Sequence, residues 1–178
     1  MTSFDFSMTP IHAAAFHQVG RLSAAHACRL AMTWLEAGSD SHAVAAIAIE
    51  NPSTVSWSDI SATFDEALLD SGVRTLTSEE VKAVLMHGFL LAVQKQQRGP
   101  GEIWAVGTLM LGLGDSLGFS LPRVPTERLY VLSLEFEEAS IGNDLTGRTL
   151  SEIAEDLRQE ADRVLSEIEQ AWPVCVNG

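Results

Sequence analysis

The amino-acid sequence predicts an all-α fold, a compact bundle of about six to eight helices in a single domain over residues 1–178. Residues 77–80 and 149–152 have the Ser/Thr-x-x-Glu form of a capping box, which marks the start of a helix. Apolar residues recur at three- and four-residue steps after each box. The chain is long enough to bury a core by helix contacts alone, and Cys28 and Cys175 form no Cys-x-x-Cys pair.

The first half of the chain is predicted to hold four helices. They cover residues 11–19, 21–37, 42–50 and 58–72. Pro10 suits the first turn of a helix, and Gly38 and Gly72 suit helix ends. Ser58 or Asp59 is the expected cap of the fourth helix. For residues 42–50 a buried strand is the competing interpretation.

The middle of the chain gives a mixed signal. Residues 81–93 present one wide apolar face and predict a helix. Four glycines between residues 102 and 120 each raise the cost of a helix by about 1 kcal/mol relative to alanine, so helix and strand both stay open there. Residues 129–136 suit a short strand, but a lone strand has no partner to pair with, which favours helix.

The last helix carries a regular apolar seam that ends before Pro173. Its members are Leu150, Ile153, Leu157, Ala161, Val164, Ile168 and Trp172. Their alternating three- and four-residue spacing is typical of a coiled-coil contact. The seam either packs into the core of its own chain or joins two copies in a homodimer.

The composition is strongly acidic. The chain has 24 acidic and 11 basic residues, a net charge of -13. Phosphate contacts need Lys and Arg, so the charge argues against nucleic acid and anionic membrane surfaces as partners. Residues 1–10 lack the basic and apolar stretches of a secretory signal peptide, which predicts a cytoplasmic protein.

The acidic residues concentrate near the C-terminus. Residues 135–169 contain eleven acidic and three basic side chains. The acids of the last helix are the candidate partner-binding residues: Glu152, Glu155, Asp156, Glu160, Asp162, Glu167 and Glu169. Glu152 and Glu155 complement the helix dipole, whereas Asp162, Glu167 and Glu169 lie toward its negative end and oppose it.

This charge pattern suggests a function in binding. A negative surface speeds the encounter with a basic protein and excludes wrong partners. The leading hypothesis is a non-enzymatic binding protein that docks a basic partner, such as a bacterial immunity protein that neutralises a toxin. The alternative is a solvated acidic face that only keeps the protein soluble.

No catalytic or metal-binding set can be assembled from the sequence. Residues 114–117, Gly-Asp-Ser-Leu, resemble the signature of a family of serine esterases, but no histidine follows His87 to act as the base for Ser116. The histidines lack the spacing of metal ligands, so no metal or cofactor is predicted. The rival hypothesis is a small-molecule hydrolase or ligand-binding domain with a pocket near Trp104 and Ser116, and His87 is an edge residue of a buried helix face.

Overall fold

The structure, a computed structural model, describes residues 8–95, 99, 120–143 and 146–177. Eight α-helices lie within these ranges. They are α1 (Pro10–Gln18), α2 (Ala24–Glu36), α3 (His42–Ala48), α4 (Trp57–Asp70), α5 (Ser78–Gln94), α6 (Glu127–Ser140), α7 (Leu150–Ala171) and α8 (Val174–Asn177). The described residues contain no strand, only an isolated bridge between Leu121 and Val124. The all-α prediction is therefore confirmed for this part of the chain.

The chain divides into two compact units, Met8–Thr77 and Ser78–Asn177. The first holds α1 to α4 and the second holds α5 to α8. Each unit has its own buried side chains, and the organisation of residues 1–178 as a single domain stays a prediction.

Local polar contacts begin the helices of the unit Met8–Thr77. The hydroxyl of Ser23 accepts a hydrogen bond from the His26 N–H at the start of α2, and Ser41 does the same for α3. The predicted cap of α4 was wrong by two to three residues. Ser56 is the N-cap, and its N–H donates to Asp59 Oδ2 at 2.9 Å, because a capping box places the acid at the third helical position.

Helices α2, α3 and α4 pack together in this unit, and α1 contacts α4. Phe64 of α4 is fully buried, and the Trp34 ring from α2 stacks near it with centroids 6.3 Å apart. The Trp34 indole N–H donates to the Met8 carbonyl at 3.1 Å. Gly38 and Gly72 end α2 and α4 with φ of 96° and 78°, a backbone conformation that favours glycine.

Helix α7 organises the unit Ser78–Asn177. It packs against both α5 and α6, and α8 contacts α5 and α7. The predicted seam is buried from Ile153 to Trp172, whereas Leu150 remains 42% exposed. The seam is thus covered within the chain and contributes to its core, and the homodimer through this helix stays a prediction.

Both segments with a strand alternative are helical, so the favoured interpretation is confirmed and the possible short strand near residues 129–136 is corrected. Residues 129–136 lie inside α6, where Leu129 and Leu132 face the core. A helix satisfies its backbone groups internally, whereas a strand here would have no neighbouring strand to bond with. Residues 42–48 form α3. The glycine-rich segment 102–119 lies outside the described residues. No helix in the described part of the chain combines the length and apolar character needed to span a membrane.

Candidate functional site

The carboxylates predicted to bind a partner lie along α7, and most of them bond to groups of their own chain. Glu152 completes the capping box at the start of the helix, where the Thr149 N–H donates to its Oε2 at 2.8 Å. Hydrogen bonds from Thr149 hold the pKa of Glu152 below its ordinary value. Glu152 therefore stabilises the N-terminal end of α7.

Glu160 lies inside the chain rather than on the outer face expected for it, with 4% of its surface exposed. Arg163 donates to Glu160 Oε1 from Nη2 at 2.6 Å and from Nε at 3.1 Å. Arg128 of α6 approaches the second oxygen at 3.8 Å. A buried carboxylate needs such partners because desolvation penalises an unpaired charge.

Two arginines neutralise further acids of the same surface. Arg163 also bonds to Glu167 and to the Pro125 carbonyl, and its carboxylate partners raise the pKa of its guanidinium. Arg148 joins α7 to α6, since it bonds to Asp156 at 2.7 Å and to Glu135 at 3.1 Å. The negative charge counted from the sequence is thus partly cancelled by arginines folded over it.

Two of the predicted acids remain on the outer face of α7. Asp162 is exposed, and no ion pair reaches it from the described residues. Glu155 forms an ion pair with Arg158, at 3.8 Å between two exposed side chains, and accepts a hydrogen bond from Gln159 at 3.1 Å. A surface pair of this kind contributes about 0–1 kcal/mol to stability and stays accessible to a partner.

The seventh candidate, Glu169, contacts a buried histidine. His87 is 4% exposed, and its Nε2 lies 3.3 Å from Glu169 Oε1. Burial lowers the pKa of His87, and the hydrogen bond to Glu169 partly offsets this effect. The burial predicted from the edge position of His87 is therefore present, together with a carboxylate partner on α7.

A second acidic surface, which sequence reasoning missed, lies in the unit Met8–Thr77. The Ser41 hydroxyl donates to Asp70 Oδ2 at 2.6 Å, which holds the turn between α2 and α3 against the end of α4. Glu36 ends α2, Asp40 precedes Ser41, and Glu66 lies one turn before Asp70 on α4; we call these four acids the α2/α4 acidic end. All four are exposed, and no lysine or arginine among the described residues forms an ion pair with any of them.

The sequence does contain a signal for this surface. Residues 30–73 include seven acidic side chains and neither lysine nor arginine. A count of net charge along the chain favours the C-terminal quarter, where acids are denser. A search for the longest acidic stretch that contains no lysine or arginine would have favoured residues 30–73.

The remaining candidates divide between described and undescribed parts of the chain. Trp104 and Ser116, on which the hydrolase alternative rests, lie outside the described residues. Within the described ranges, no group of three or more His, Cys, Asp and Glu side chains is arranged to hold a metal ion. Compared with known proteins, the chain matches no family model, no curated protein and no solved structure.

Proposed function

We propose that this chain is a non-enzymatic, acidic binding protein that docks a basic protein partner, and that the α2/α4 acidic end is its main contact surface. The supporting observation is the group of four exposed carboxylates that lack a lysine or arginine partner among the described residues. On α7, by contrast, arginines of the same chain already occupy several of the acids.

The position of these acids supports a role beyond folding. Glu36 and Asp70 are the last residues of α2 and α4, and neither last turn contains a basic residue. The C-terminal end of a helix carries partial negative charge, so an acid there costs about 0.3–1 kcal/mol. A partner that supplies Lys or Arg reverses this repulsion, whereas in the free chain Asp70 has only the bond from Ser41 among the described residues and no basic group neutralises it.

An exposed apolar side chain adjoins the acids. Leu69 precedes Asp70 on α4 and is 69% exposed. Protein interfaces combine an apolar centre with a polar rim, and Leu69 with the surrounding carboxylates has that composition. The partner that fits this surface is a protein with clustered Lys and Arg around an apolar contact, for example a basic nuclease or toxin that an immunity protein neutralises.

The surface is tested by two variants matched in charge. Asp40→Asn/Glu66→Gln alters the α2/α4 acidic end, and Glu155→Gln/Asp162→Asn alters α7. Each removes two negative charges from exposed positions and leaves the capping and buried carboxylates intact. The wild-type protein is immobilised, a basic protein is captured from lysate at low salt and identified, and its association rate with each variant is measured.

The first variant is expected to slow association more than the second, and added salt is expected to reduce the difference, because steering by exposed charge is screened. Equal slowing by both variants would show that only net charge matters. If polylysine bound as tightly as the captured protein, the surface would bind positive charge without specificity. The proposed docking role would then be wrong.

A further inference from the structure

His87 and Glu169 form a contact between two helices that the proposed function does not use. The imidazole of His87 is buried on α5, whereas the side chain of Glu169 on α7 is 40% exposed. A partly solvated carboxylate therefore contacts a ring that is almost completely buried. The contact lies near the C-terminal end of α7, where α8 also packs against α5.

The charged groups around this contact come from each neighbouring helix that the structure describes. Glu169 of α7 favours a protonated ring, and Lys95, directly after α5, disfavours it. On α8, Cys175 is 4% exposed, and burial together with Glu169 and Glu80 raises the pKa of its thiol to about 12. The thiol is thus neutral, and one solvated carboxylate is the main group that stabilises charge on His87.

Protonation of His87 places a positive charge on a ring that is 4% exposed. Desolvation of a buried charge costs several kcal/mol, and one hydrogen bond of 3.3 Å to a half-exposed carboxylate recovers part of it. The pKa of His87 accordingly lies below 6.5, the ordinary value for histidine.

We propose that the buried ring of His87 is an acid-sensitive latch: its protonation loosens the end of α7 and α8 from α5, and the contact with Glu169 offsets only part of that effect. The ring is neutral in both folded and unfolded chains above the ordinary histidine value. As the pH falls below that value, the unfolded or opened form binds the proton more readily, so the closed packing around His87 loses stability.

The latch is tested by the rate at which the thiol of Cys175 reacts in the full chain. The chain carries Cys28→Ala, so that Cys175 is the one thiol that can react. A disulfide reagent that reacts in mild acid, 4,4′-dithiodipyridine, is added between about pH 7.5 and pH 5.5. Each rate is divided by the rate of the urea-unfolded protein at the same pH, which removes the intrinsic pH dependence of the thiol. The ratio is expected to rise several-fold as the pH falls.

Two variants separate the latch from a general effect of acid. His87→Gln is expected to abolish the rise, and His42→Gln, which alters an exposed histidine of the unit Met8–Thr77, is expected to leave it unchanged. If His87→Gln does not fold, Glu169→Gln serves instead. It removes the carboxylate that favours the charged ring, so protonation costs the closed form more and the rise is expected to be larger than in wild type. The same profile in His87→Gln and wild type, a rise in Glu169→Gln no larger than in wild type, or an NMR titration of His87 at or above 6.5 would overturn the proposal.

Discussion

Replacement of Arg163 by alanine tests the conclusion that α7 is held by a buried carboxylate and its arginine. The change removes two hydrogen bonds from Glu160, which is 4% exposed, and leaves it only Arg128 at 3.8 Å. Loss of one partner of a fully buried pair costs about 3–5 kcal/mol. Because the Arg163 side chain is itself 38% exposed, solvent screens part of this cost, and we expect about 2–3 kcal/mol.

Arg158→Ala is the matched control, since it removes the same charge from the same helix. Arg158 pairs with Glu155 at 3.8 Å, and both side chains are at least half exposed. Its loss is expected to cost less than about 1 kcal/mol. Urea unfolding gives the free energy for each variant. Equal losses in the two variants would refute the claim that burial of Glu160 makes the Arg163 pair more important than a surface pair.

Three further predictions follow from the same unit. Leu157→Ala, at a fully buried seam position, is expected to lower the free energy of unfolding by about 2–5 kcal/mol. Leu150→Ala, at a position 42% exposed, is expected to lower it far less. Similar losses of the two variants in urea unfolding would contradict the observed seam. Thr149→Ala removes the side-chain cap of α7 and is expected to cost about 1 kcal/mol, seen also as faster amide exchange in the first turn, and an unchanged exchange rate would argue against the cap. Cys175, whose thiol pKa burial raises to about 12, is expected to resist iodoacetamide at pH 8 until the chain unfolds, and rapid labelling of native protein would show that the site is open.

Charge is where sequence reasoning and structure differ most. The sequence shows eleven acids and three bases over residues 135–169, and this ratio suggests a negative face. Arg148 and Arg163 nevertheless reach carboxylates up to 13 residues away, and Glu160 turns inward to meet two arginines. Ion pairing depends on distance in space, so the density of acids along the chain does not predict the charge that solvent meets.

The helices themselves were largely determined by local sequence. The Thr149–Glu152 box, the seam from Ile153 and the glycines after α2 and α4 act within one or two helical turns, so short stretches of chain are enough to specify them. Residues 129–136 were ambiguous because their apolar side chains suit either a strand or a helix, and only the absence of a strand partner favours the helix.

The sequence alone thus determined where most helices begin and end and which face of α7 is apolar, because those features rest on contacts between neighbours in the chain. Tertiary structure decided which carboxylates are buried, paired or open: Glu160 beside Arg128, His87 beside Glu169, and Ser41 beside Asp70. Each of these contacts joins residues at least 29 positions apart, and their energies depend on burial and separation, which only the folded chain sets.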